Sequence, residues 1–208
     1  MVTQGKKIPN PQGKGLVPVL DDWQRARPAG LSRKEPDELL LDWFVSTLVL
    51  SAQFSFRPVV GQFYYLYFRK GGWRLSLIAP EEWSHEGFGE CIGRCVLQPD
   101  MTWQVQPDRD LVQRPALSRL LGDLATQFTE SLAGDERLGE RLPGYRRELP
   151  YHQRMLATAL GVSLRDAAGS AALAAPVRAL ALEAGVDIAK RLTGGDRLSA
   201  NRGQSEKS

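Results

Sequence analysis

The stretch Phe63-Tyr64-Tyr65-Leu66-Tyr67-Phe68-Arg69-Lys70-Gly71-Gly72-Trp73-Arg74-Leu75-Ser76-Leu77-Ile78 decides the fold. Aromatic residues fit a pleated, half-buried surface, so 63–68 reads as a strand. Arg69-Lys70-Gly71-Gly72 reads as a turn, because glycine takes positive φ without a Cβ clash. Trp73–Ile78 reads as the return strand, with polar residues at alternate positions. Successive side chains of a strand point to opposite faces. Tyr65 and Tyr67 therefore share one face, and Tyr64, Leu66 and Phe68 the other.

Downstream, Pro80-Glu81-Glu82-Trp83 breaks the ladder and fits a helical turn. Cys91–Leu97 reads as a third strand, Pro99-Asp100 as a turn and Met101–Val105 as a fourth short strand. Short connections favour antiparallel neighbours, so the expected arrangement is an antiparallel meander of three or four strands. Upstream, Pro36 suits a first helical position, and Asp37 and Glu38 suit the positive end of the helix dipole. The helix they open carries Leu39, Leu40, Trp43, Phe44, Val45, Leu48, Val49 and Leu50 on most of its circumference, which predicts burial.

From Pro115 the period changes. Leu117, Leu120, Leu121, Leu124, Phe128 and Leu132 recur every three or four residues, which predicts a helix ending near Gly134. A second helix is expected from about Pro150 to Arg165. A last one runs to about Leu192, with Pro176 starting or kinking it, Lys190 and Arg191 at its negative end and Gly194 after it. The fold class is thus α+β, with a small sheet, one buried N-terminal helix and a helical C-terminal half. The expected division is a flexible basic arm at 1–35, a helix-plus-sheet domain at 36–110, a helical region packing on it at 111–194 and a disordered tail at 195–208. Within the arm, Leu16-Val17-Pro18-Val19-Leu20 is expected to dock as an edge strand, since Pro18 suits only an edge.

The chain has 208 residues, a net charge of +3 and a pI near 9.0. Residues 1–35 hold seven basic and three acidic residues, and the remainder 20 and 21. The basic excess thus belongs to the arm, whereas a folded nucleic-acid-binding domain carries a basic surface of its own. Two cysteines make no disulfide framework. No apolar signal core and no run of about 18 apolar residues occurs, so a soluble, cytoplasmic protein without a membrane partner is expected.

No motif specifies a reaction. Cys91, Cys95, His85 and His152 supply zinc-type ligands, but two cysteines four apart in a regular strand share a face at roughly 13 Å. That is too far for one tetrahedral ion, so no metal is expected. His85 neighbours Ser84, Glu81, Glu82 and Glu86, yet adjacency in a loop does not orient a base, and no Gly-x-Ser-x-Gly elbow occurs. Gly13-Lys14-Gly15 lacks the spacing of a phosphate loop. No catalytic residue and no cofactor follow, and an enzyme remains only as a site assembled from distant positions.

What remains is recognition. Tyr65, Tyr67, Arg69, Trp73, Arg74, Glu82 and Trp83 form the candidate surface, of the aromatic and arginine type that dominates interfaces. The expected partner is a protein, another copy or a different chain, with the Ala- and Gly-rich stretch 157–189 able to pack closely. The alternative is RNA or single-stranded nucleic acid, stacked on the same aromatic residues.

Gly61, Tyr64-Tyr65-Leu66-Tyr67, Arg69, Gly72, Leu75-Ser76-Leu77-Ile78, Pro80, Glu82-Trp83, Phe88, Gly93, Leu97, Asp100 and Trp103 together resemble the core of a domain family of unknown function found in animal and bacterial proteins. The resemblance covers about Phe56 to Trp103, a quarter of the chain. It rests on a Tyr-Leu-Tyr hairpin, Pro-x-Glu-Trp and Asp-x-x-Trp. It implies that the hairpin is a real structural unit and implies no reaction.

Overall fold

The computed structural model describes residues 16–69, 72–83, 88–184 and 188. The chain runs α1 (Leu16–Arg25), α2 (Pro36–Ser51), β1 (Phe63–Arg69), β2 (Gly72–Ser76), β3 (Glu90–Leu97), β4 (Trp103–Pro107), α3 (Pro115–Ser131), α4 (Leu138–Arg141), α5 (Tyr151–Ala174) and α6 (Val177–Ala184). Short 3-10 turns occupy Pro80–Glu82 and Leu111–Gln113. The α+β class and the helical C-terminal half agree with the sequence reading.

The four strands form one antiparallel sheet in the order β2-β1-β3-β4. This corrects the meander. β3 adds to the free edge of β1 rather than to β2. The connection from Leu77 to Gly89 is long enough to carry the chain across to the far edge, whereas a two- to five-residue turn would not be.

α2 lies against one face of the sheet, touching β4 and β2, and is covered on its other side by α5 and α6. α3 adds Phe128, whose ring meets Trp43 at 5.4 Å and Phe44 at 5.3 Å edge-on. Being the middle layer explains why α2 is apolar nearly all round: ten of its sixteen residues are buried. Gln153 near the start of α5 donates from Nε2 to the Ala52 carbonyl at 2.7 Å, pinning α5 to the end of α2. The apolar core continues from Ala26 through the sheet to Leu180 and Ile188.

Two further expectations change. Leu16–Leu20, read as an edge strand, opens α1 instead. Pro18 falls in the first helical turn, where its missing N–H has no partner to lose. The second C-terminal helix runs nine residues past Arg165, and it is broken at Gly169 (φ 76°, ψ 166°). The positive φ is what favours glycine at this break; a Cβ there would also have to displace the end of the Arg33 side chain, which crosses it. Lys34 N–H donates to the Ala167 carbonyl at 3.3 Å beside it. Pro176 separates α5 from α6, as its position predicts. The Lys70-Gly71 turn, His85, residues 1–15, the last helix's end at Lys190–Gly194 and the tail lie outside the described residues.

Candidate functional site

The pairing of β1 with β3 shifts by one residue: Leu66 faces Gly93, but Tyr67 faces Cys91, which leaves Ile92 as a bulge. Gly93 is required there, since a Cβ would sit 2.2 Å from the Gln106 carbonyl oxygen of β4. The bulge reverses the alternation along β3. Cys95 sits opposite Tyr64 on the helix-covered face, and Cys91 opposite Tyr67 on the outer face. The two cysteines therefore do not share a face, contrary to the regular-strand reading, and the case against one metal between them becomes stronger.

The outer face carries two aromatic groups. In the first, Tyr67 is only 2% exposed. Trp83 and Phe88 lie over it, stacked on each other at 4.1 Å, with Phe88 edge-on to Tyr67 at 4.8 Å. The Tyr67 hydroxyl donates to the Ile78 carbonyl at 2.9 Å and accepts from Trp83 Nε1 at 3.1 Å. Burial raises this phenol to about 12, against the opposing pull of the indole N–H. Burial likewise pushes the neighbouring Cys91 thiol up to about 11. Arg74 stands at the margin of this roof, its guanidinium carbon 6.0 Å from the Phe88 ring centre.

The second group is open. Phe63 is 47% exposed. The Arg94 guanidinium lies 4.0 Å over its ring and is held flat by Gln106, whose Oε1 accepts from Nε at 3.2 Å and from NH2 at 2.6 Å. Tyr65, half-buried, sits between the groups in the cross-strand row Ser76–Tyr65–Arg94–Gln106. A cation over a ring adds about 0.5–1 kcal/mol at an exposed site and fixes the plane that a partner would meet.

The structure therefore divides the surface read from sequence. Tyr65, Arg74 and Trp83 share the outer face. Tyr67 shares it but lies beneath Trp83, so it supports the face without presenting a surface. Trp73 points the other way, at 4.8 Å from Phe68 on the helix-covered side. Arg69 is exposed at the end of β1, and Glu82 is exposed in the 3-10 turn. Sequence reasoning missed Phe63, Arg94 and Gln106. Their pairing depends on register between strands far apart in the chain, although the alternation already placed Phe63 with Tyr65 and Tyr67.

The residues that carry the family resemblance act as fasteners. Trp83 closes the roof. Trp103 is buried with its ring beside Tyr64 at 5.7 Å, and its backbone N–H donates to Ser46 Oγ of α2 at 2.9 Å. Asp100 Oδ1 accepts from the Thr102 N–H at 3.0 Å and from its hydroxyl at 2.6 Å, while Oδ2 takes Lys34 Nζ at 2.7 Å. Lys34 also meets Asp42 of α2 at 2.5 Å, so one ammonium ties the β3–β4 turn to the buried helix. Burial opposes charge on all three groups with unequal results. It raises Asp42 despite Lys34, whereas the bonds from Lys34 and Thr102 outweigh it and hold Asp100 low. Lys34 is raised, because its two carboxylates overcome its own burial.

Among the described residues no group of three or more His, Cys, Asp or Glu side chains is placed to hold a metal, and no helix is long and apolar enough to cross a membrane. Neither the curated proteins nor the solved structures contain a match to the chain. Residues 34–122, which span α2, the whole sheet and the start of α3, match the model of a family described as "Protein of unknown function (DUF2452)", and this segment is similar to that family.

Proposed function

We propose that the chain is a protein-interaction module whose recognition surface is the outer face of the sheet, centred on Phe63 and Tyr65 and bounded by Trp83. The observation that supports this reading is the half-exposed Phe63 ring under an arginine already fixed in plane by Gln106. Burying such a group loses little side-chain entropy, which is a property of interface anchors. Among the described residues, Arg69, Arg74 and Arg94 on this side are nearly matched by Glu81 and Glu82 in the adjoining turn. A balanced border suits a protein partner, whereas a polyphosphate backbone is met by cations in excess.

The test is capture of partners on the tagged full chain, with and without nuclease, alongside Phe63→Ser and Tyr65→Ser. A stoichiometric protein that survives nuclease and is lost on both variants supports the module. The partner is a second copy if the purified chain alone dimerises and the variants abolish the dimer. Recovery of RNA or DNA, with a binding constant that falls steeply with salt, would replace this reading by nucleic-acid binding. Partners that persist on both variants would move the surface elsewhere.

A further inference from the structure

A cavity of about 300 Å³ lies between the end of α1, the 57–60 connection and the first turns of α5. Its floor is apolar, built from Leu97, Met101, Met155 and Leu156, with Val59 and Val60 at the side. Its polar lining is confined to Asp22, Arg25, Arg57 and His152. An apolar pocket with a few convergent polar groups is the usual form of a small-molecule site.

The charges are not balanced. Asp22 Oδ1 accepts from Arg57 NH1 at 2.6 Å, which neutralises both. Arg25 has no ion-pair partner among the described residues. His152 Nδ1 is buried without a hydrogen-bond partner. Such an orphaned buried nitrogen costs about 1–3 kcal/mol unless something meets it. His152 also belongs to the first turn of α5, which has no side-chain cap at Pro150 and is broken only at Gly169, so the positive end of this helix lies beside the cavity.

One wall of the cavity is held in a costly backbone conformation. Met101 is the one non-glycine residue with positive φ (66°) among the described residues. It closes the β3–β4 connection after the turn in which its N–H donates to the Gln98 carbonyl at 2.9 Å. Glycine would take that position without strain. A methionine there places a polarisable, adaptable side chain against the cavity.

We propose that this cavity binds a small amphipathic carboxylate, with its hydrocarbon or aromatic body between Met101, Met155 and Leu156 and its carboxylate towards Arg25, His152 and the start of α5. The site is separate from the sheet face and does not depend on its role.

The test uses the full chain carrying methyl-labelled methionine, titrated with decanoate and with 3-phenylpropionate, and with decanol and decylammonium as the neutral and cationic counterparts. A saturable shift of the Met101 and Met155 methyl signals with at least one acid is expected, the two acids separating a linear from an aromatic body. The alcohol and the amine bind about tenfold more weakly or worse, as loss of a charge-assisted bond requires. Arg25→Gln weakens the acid by about tenfold. Val60→Trp, made at a position 38% exposed and so compatible with folding, blocks it. No saturable shift with either acid, equal affinity for the alcohol, or unchanged binding in Val60→Trp would each overturn the proposal.

Discussion

The two faces of the sheet are built from the same strands by the same alternation, yet they end in different states. On the helix-covered face, Tyr64, Leu66, Cys95, Leu97 and Trp103 are all essentially inaccessible, and α2 covers them from a distant part of the chain. On the outer face, Tyr67 is as deeply buried as Tyr64, but its cover is local: Trp83 and Phe88, within 21 residues of it. Phe63 on the same face has, among the described residues, an arginine over it and stays 47% exposed. Burial on the first face is the fold itself. On the second it is an accessory that leaves part of the face open, and the proposed recognition surface rests on that open part.

Trp103→Ala breaks the first face and should have the largest effect, about 3–5 kcal/mol, since it removes a buried indole and the cavity collapses only in part. Denaturant unfolding measures it, and a loss under 1 kcal/mol would mean that α2 does not seal the sheet as described.

Tyr67→Phe probes the local roof. It leaves the Ile78 carbonyl and the Trp83 indole N–H without their partner, at about 1–3 kcal/mol. It also alters the pH dependence. The folded phenol ionises near 12 and the unfolded one near 10, so its stabilising effect is complete below about pH 10 and is lost as pH rises through the folded value. Lys34, raised above 10.5, acts in the same direction: its contribution is complete below that value and lost above the folded one. The wild type should therefore lose stability steeply between pH 10 and 12, and Tyr67→Phe less steeply. Equal slopes in the two proteins would sink the roof's part in this.

Phe63→Ser tests the open part and should change stability least, within about 0.5 kcal/mol, because the ring is exposed. The comparison sharpens if this variant folds like the wild type and still loses the partner. A stability loss as large as that of Tyr67→Phe would show that the open ring is structural.

Most of the elements were legible in the sequence. Aromatic density located β1, the proline at 36 located α2, and the change of period at Pro115 located α3. What was not legible depended on contacts between distant residues. The order of the strands turns on where a thirteen-residue connection leads, and local composition does not fix that. The bulge at Ile92 needs the partner strand to be known, because the regular alternation is the natural assumption and Gly93 alone does not signal which residue is extra. α1 was misread because a proline among apolar residues suits an edge strand and a first helical turn equally. The candidate surface was found in part: Tyr65, Arg74 and Trp83 came from the hairpin and its turn, while Arg94 and Gln106 come from strands that only the tertiary register brings beside Phe63. The cavity had no sequence signal, since its lining comes from four separated segments.

The single extra residue in β3 has a consequence for oxidation. Two cysteines four apart in a regular strand would share one environment, but here a layer of backbone separates them. No disulfide can close between them without reversing part of the strand. Each thiol also lies in a different layer: Cys91 opposite Tyr67 on the outer face, Cys95 under the helices, with burial holding both in the unreactive protonated form. A thiol-modifying reagent reaches Cys91 on a local opening of the outer face, and Cys95 only when the sheet parts from α2. The chain thus carries two built-in clocks, one timing a local opening and the other the loss of the whole structure.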